Sequence, residues 1–124
     1  LLLFLGFEQD DDMGDISWAV NKIVNMRVFN DPEQKMNLSI NDVNGDLLLI
    51  SQFTLHASIK KGNRPSFIKA AEPGIAKDLY NKTIDCFNNH YTGNIQTGEF
   101  GAMMDVELIN DGPVTILMDT KNKE

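Results

Sequence analysis

The chain reads as a mixed α/β domain. Three observations predict this class. Apolar runs at Leu1–Leu5 and Leu47–Ile50 have the length and composition of buried strands. Two later stretches, Ile16–Val24 and Ala76–Phe87, place apolar residues at helical spacing. Alternation of period two then returns at Met104–Leu108 and Val114–Met118. The element order is β-α-β-α-β-β. A length of 124 residues, 42% hydrophobic and 23% charged, suits one core, and we read 1–124 as one domain.

Each element has a local reason. Leu1–Phe7 is nearly continuous in apolar residues, as in a strand covered on both faces, and Asp10-Asp11-Asp12 with Gly14 ends it in a polar turn. Ile16, Ala19, Val20, Ile23 and Val24 then trace one face of a helix, with Asp15 as its N-cap and an end near Phe29, before Asn30-Asp31-Pro32. Glu33–Gly45 is polar and turn-rich, and Asn44-Gly45 is a strong turn signal. The strand at Leu47–Ile50 is expected to continue through Ser51-Gln52-Phe53-Thr54-Leu55. Ala57–Pro65 reads as a loop. Pro73 fits the first turn of a second helix, whose buried stripe is Ala76, Leu79, Tyr80, Thr83, Ile84 and Phe87. Thr92-Gly93-Asn94 closes it. Two strands follow, broken at Asn110-Asp111-Gly112-Pro113, and Lys121–Glu124 reads as a loose tail.

Composition excludes several function classes. The longest apolar runs are far below the ~18 residues of a membrane helix. One cysteine, Cys86, allows no internal disulfide and no all-cysteine zinc site, and suits a reducing cytoplasm. Its place beside a helical apolar stripe marks it as a small core residue. A net charge of -7 argues against non-specific nucleic-acid binding. The charge is uneven, however. Lys60, Lys61, Arg64 and Lys69 fall together, whereas Glu8–Asp15 carries five acids and no base. Asp10, Asp11 and Asp12 are consecutive, so their side chains diverge. No metal site and no organic cofactor is expected. Glycine-rich nucleotide loops, H-E-x-x-H and G-x-S-x-G are all absent. His56 and His90 read as polar loop or surface residues.

Three segments are candidates for chemistry. Ser51-Gln52-Phe53-Thr54 puts two hydroxyls, an amide and a ring at a strand end, where α/β sheets commonly bind ligands. It reads equally as a strand passing from buried to half-exposed, and spacing alone favours that plainer account. Asn110-Asp111-Gly112-Pro113 is either a backbone-lined corner or an ordinary Gly-Pro turn. Lys60–Pro65 is either a phosphate contact or a solvated loop.

Taken together, four blocks in order resemble one family. They are Ser51–Leu55, Lys61-Gly62-Asn63-Arg64-Pro65-Ser66-Phe67, Thr97-Gly98-Glu99-Phe100-Gly101 and Asn110-Asp111-Gly112-Pro113-Val114-Thr115. Lys35-Met36-Asn37 and Leu5-Gly6 fit as well. The chain is similar, from Leu1 to about Thr120, to the D-aminoacyl-tRNA deacylases, formerly D-tyrosyl-tRNA deacylases. Members begin with a further β-hairpin carrying a basic strand, so we expect that hairpin to be missing here, with an incomplete sheet and too negative a charge.

The resemblance implies a barrel-like β-core with two main helices and a cytoplasmic homodimer. The implied reaction is hydrolysis of the ester joining a D-amino acid, or glycine, to the 3′-terminal adenosine of tRNA. It implies a pocket at Ser51, Gln52, Phe53 and Thr54. It also implies a chirality filter at Gly112-Pro113, cis and reaching into the partner's pocket, with Phe100, Met104 and Asn110 near the adenosine or the filter. Carbonyls placed where an L side chain would go reject it without touching a D side chain. Thr54 is either a nucleophile, which needs a base, or a positioning group beside oxyanion-binding N–H groups of Phe53 and Thr54, with the tRNA 2′-hydroxyl helping water. No base is evident, so the second is expected. The alternatives are a non-catalytic tRNA-end or nucleotide-binding module, a small-ester hydrolase using Thr54 or Ser51, and a purely structural dimer.

Overall fold

A computed structural model describes residues 1–124. The order is β1 (Leu2–Leu5), α1 (Met13–Asn25), β2 (Phe29–Asn30), β3 (Met36–Leu38), α2 (Ile40–Val43), β4 (Leu47–Ser51), a 3₁₀ turn (Phe53–His56), α3 (Pro73–His90) and β5 (Ile95–Thr97). β1, β4 and β5 form an open parallel sheet with β4 in the middle, and β2 pairs antiparallel with β3. Leu2 lies opposite Leu48 and Leu47 opposite Ile95. Parallel neighbours need long crossovers, and the segments containing α1 and α3 supply them. The two helices pack on each other.

The core follows the predicted stripes. Ile16, Val20 and Val24 of α1 are buried, as are Ala76, Leu79, Tyr80, Thr83 and Phe87 of α3. They join Leu47, Leu49 and Ile40 in one cluster. Cys86 is buried there too, and burial pushes its thiol pKa up. Ile84 is only half-buried. The Tyr80 hydroxyl donates to the Leu49 carbonyl at 2.9 Å, which ties α3 to the centre of the sheet.

Several expectations are corrected. β1 lies at a sheet edge, so it is half-buried instead of covered on both faces. α1 starts earlier than expected. Asp12 is its N-cap, accepting from the Gly14 and Asp15 N–H groups, while Asp15 accepts from the Asp12 N–H in a capping box. α1 also ends earlier, at Asn25. The Asn41 amide takes the Val24 carbonyl at 2.9 Å, and Phe29 is drawn into pairing with Leu38. The polar stretch before Gly45 holds β3 and the single turn α2, with Asn44 as its left-handed cap at φ 50. β4 stops at Ser51, and the chain turns instead of continuing to Leu55. β5 is a three-residue strand with no apolar pattern of its own, formed by pairing with β4.

The largest correction is in the last third. Neither Met104–Leu108 nor Val114–Met118 is a strand. Their alternation is real in part, since Met104 and Val106 are half-buried while Asp105 and Glu107 are exposed. A strand also needs a neighbour to complete its ladder. The only main-chain bond donated from this region is Asp111 N–H to the Ile109 carbonyl, at 3.1 Å.

The tail is not loose. Lys121 Nζ lies 2.7 Å from Asp15 Oδ2 and 3.3 Å from Asp11 Oδ1, and Lys123 Nζ sits 4.8 Å from the Trp18 ring centre. The Lys121 hydrogen bond lowers the Asp15 pKa and is the main cause raising that of Lys121. The Asp15 contribution is therefore present above the ordinary carboxylate range and lost as pH falls through its depressed value. The lysine contribution is present below the ordinary lysine value and lost only in strong alkali. Acid should thus open the clasp, and Lys121→Met should open it at neutral pH as well. Hydrogen exchange of the Asp119–Lys123 amides reads this. Equal protection of parent and variant at neutral pH would refute the clasp.

Candidate active site

Ser51, Gln52, Phe53 and Thr54 lie where the central strand ends and the chain turns. The Gln52 N–H donates to the Leu5 carbonyl at 2.7 Å, extending the β1–β4 ladder by one bond. The backbone then enters the 3₁₀ turn. The first N–H groups of any helical turn lack internal acceptors. Here the Phe53 and Thr54 N–H groups find none elsewhere in the chain. Both residues are exposed, with Phe53 at 58%. The turn thus presents two adjacent free donors at a sheet end.

The Thr54 hydroxyl has one side-chain partner, the amide of Gln52, which donates to it. An amide is not a base in either orientation, so nothing here draws off the hydroxyl proton. His56, two residues on, is not the surface group expected. Its side chain is only 22% exposed, Nδ1 is 3.3 Å from Glu8 Oε1, and Nε2 is buried without a partner. Its ring covers Gly6, where a Cβ would come within 3.0 Å of Nε2. His90 stays exposed at the end of α3, with Nδ1 2.8 Å from the Cys86 carbonyl oxygen.

Phe100 and Met104 lie behind the strand end. Phe100 packs on the Tyr80 ring at 5.8 Å, and the Gly98 N–H donates to the Leu49 carbonyl. A Cβ on Gly98 would come within 2.8 Å of Ile50 and 2.9 Å of the Met104 sulfur, so only glycine admits both side chains. Asn110 braces its own turn. Its Oδ1 accepts from the Val114 N–H and its Nδ2 donates to Thr115 Oγ1 at 3.0 Å. Within that turn the Gly112-Pro113 bond is cis and Gly112 has φ 139. No hydrogen bond or ion pair in the chain joins this turn to Ser51–Thr54. The predicted residues thus fall into two groups, one at the sheet end and one on the unpaired segment.

The sequence profile of the D-Tyr-tRNA(Tyr) deacylases matches residues 1–119. The chain belongs to that family. A Christiangramia forsetii protein named D-aminoacyl-tRNA deacylase is 54% identical over 123 residues, 99% of this chain and 82% of its own length. A Bacteroides thetaiotaomicron protein of the same name is 55% identical over 124 residues, 100% of this chain and 83% of its own length. A solved structure described as c-Myc DNA Unwinding Element Binding Protein superposes with a TM-score of 0.87 at 38% identity, covering 93% of this chain and 78% of its own. A second, described as a probable eukaryotic D-amino acid tRNA deacylase, gives a TM-score of 0.66 at 17% identity over 82% of this chain and 75% of its own, a likeness of fold alone.

The family match spans both residue groups. It does not single out Phe67, whose ring meets Phe53 edge-on at 5.1 Å, or the Tyr80 bracket on Leu49. Both are contacts between distant segments, and no local spacing signals them. No helix is long and apolar enough to cross a membrane.

Proposed function

We propose that this chain is a D-aminoacyl-tRNA deacylase, hydrolysing the ester between a D-amino acid, or glycine, and the 3′-terminal adenosine of tRNA. The pair of free N–H groups at Phe53 and Thr54 carries the reading. Water adds to the ester carbonyl, and negative charge grows on the carbonyl oxygen, where the two N–H groups receive it. One such donor is worth about 2.7–4 kcal/mol of transition-state stabilisation. The ribose 3′-oxygen then leaves with a proton, and the neighbouring 2′-hydroxyl helps activate the water. Thr54 positions the ester and is not a nucleophile, because its hydroxyl meets only an amide. Ser51 and Gln52 complete the pocket edge, with Phe100 and Met104 toward the adenosine.

Gly112-Pro113 acts as the chirality filter, presented with Asn110 to the pocket of a second copy in a homodimer. The absence of a link between the two residue groups within one chain supports this. So does the apolar character of the unpaired segment, where Met103 is 100%, Ile109 93% and Leu117 89% exposed. A solution mass of one chain at assay concentration would overturn the dimer.

The test is ester loss from matched D- and L-aminoacyl-tRNAs. Rapid loss of the D ester alone is expected. Equal loss of both would indicate a general esterase, and loss of neither a binding module. In the same assay Thr54→Ala should lower the rate only about two- to tenfold, the worth of one hydrogen bond. Removal of a nucleophile would cost on the order of 10⁶-fold. A fall to the uncatalysed rate, in a variant that still binds tRNA, would make Thr54 the nucleophile.

A further inference from the structure

We propose that the Lys60–Lys69 segment is the docking surface for the phosphodiester backbone of the RNA beside its aminoacylated end. The inference rests on the deacylase reading and adds how the tRNA body is held. In a chain of net charge -7, Lys60, Lys61, Arg64 and Lys69 fall within ten residues. None has a carboxylate partner, since every ion pair in the chain uses Lys35, His56, Lys82 or Lys121. Folding therefore makes no use of these four charges as ion pairs.

Their placement is tied to the site. Ser58 and Ser66 exchange main-chain hydrogen bonds of 2.8 and 2.9 Å, which closes residues 59–65 into a loop. Gly62, at φ 71, lets the loop reverse between Lys61 and Arg64. The loop begins just after the turn that ends at His56, and Phe67 on its far side packs against Phe53. Both ends are thus anchored to the turn bearing the free N–H groups. Lys60 and Lys69 line one open cleft with Leu55 and His56. Glu8 and Asp119 line it as well, but Glu8 faces His56 and Asp119 accepts from the Lys121 N–H. No acceptor engages either lysine. The acids of Glu8–Asp15 leave this segment as the one concentrated positive feature for a polyanion to find. Contacts to phosphates position a nucleic acid without reading its bases.

The experiment compares two substrates with the same bond, a D-aminoacyl-tRNA and the matching D-aminoacyl-adenosine, which has no phosphates. In the variant Lys60→Glu, Lys61→Glu, Arg64→Glu, KM for the tRNA should rise at least about tenfold. The salt dependence of log(kcat/KM) should flatten by about 2–3, at roughly 0.7–0.9 per lost phosphate contact. Rates on the adenosine ester should hold. The milder set Lys60→Gln, Lys61→Gln, Arg64→Gln should show a smaller shift of the same kind, and a Lys60→Arg, Lys61→Arg set no shift. Affinity for uncharged tRNA, read by fluorescence anisotropy, should fall in parallel. Unchanged KM and unchanged tRNA affinity would overturn the proposal. Equal losses on both substrates, in the glutamine set as in the glutamate set, would overturn it too and place the segment in the chemistry or the fold. If the parent hydrolyses neither ester, the deacylase reading fails on its own. The anisotropy arm still decides the docking surface, and an RNA affinity indifferent to these charges rejects it.

Discussion

Phe87→Ala is expected to destabilise the chain by about 3–5 kcal/mol, the range for truncating a buried aromatic. Phe87 is 0% exposed and belongs to the core cluster with Leu47, Leu49 and Tyr80. The loss combines the transfer of a large apolar side chain out of the core with the cavity left behind. Small domains hold only about 5–15 kcal/mol in total, so the change removes a large share. In urea the midpoint should fall by on the order of 2 M at an ordinary slope. Catalysis per folded molecule should change little, because Phe87 lies in α3, away from the exposed turn at Phe53 and Thr54. A midpoint shift worth less than about 1 kcal/mol would show that the core closes around the gap.

The second large effect is expected at Gly112. Its φ of 139 is open to glycine and strained for other residues, and a Cβ there would meet the Val114 N–H nitrogen and side chain at 3.0 Å. Gly112→Ala therefore either holds the backbone at a cost of about 1–3 kcal/mol or shifts it. Asn110 bonds both Val114 and Thr115, so a shift would spread through the whole turn. If this turn screens chirality, the D-over-L rate ratio should fall by roughly five- to 150-fold, which is that energy range expressed as a rate. Any loss of thermal stability should stay within that strain, because the turn is exposed and makes no core contact. An unchanged ratio in a variant with normal D-ester activity would remove Gly112 from specificity.

The candidate site is legible in the sequence as a family motif more than as a spacing. Polar groups directly after Leu47–Ile50 mark Ser51–Thr54 as a candidate, although spacing alone favours an ordinary strand end, and the turn there is where β4 leaves the sheet. The block order Ser51–Leu55 to Asn110–Thr115 then named a family, and the match over residues 1–119 bears that out. The Phe53 and Thr54 N–H groups follow from the resemblance and were not legible in the spacing, since their freedom depends on a switch from strand to 3₁₀ geometry after Gln52. Nor was His56. Its burial over Gly6 and its approach to Glu8 join segments almost fifty residues apart in the chain.

The two helical stripes, the two apolar strands, the buried place of Cys86 and the family are written in local periodicity or in contiguous motifs. Tertiary structure alone decided where helices stop, which strand is central and whether alternation becomes a strand. α1 ends at Asn25 because the Asn41 amide donates to the Val24 carbonyl and Phe29 finds Leu38. Leu1–Phe7 is apolar yet lies at an edge. Met104–Leu108 alternates yet forms no ladder. The physical reason is common to all three. Side-chain pattern records which face a residue prefers, whereas backbone hydrogen bonds and burial are completed by distant partners that the local sequence does not name.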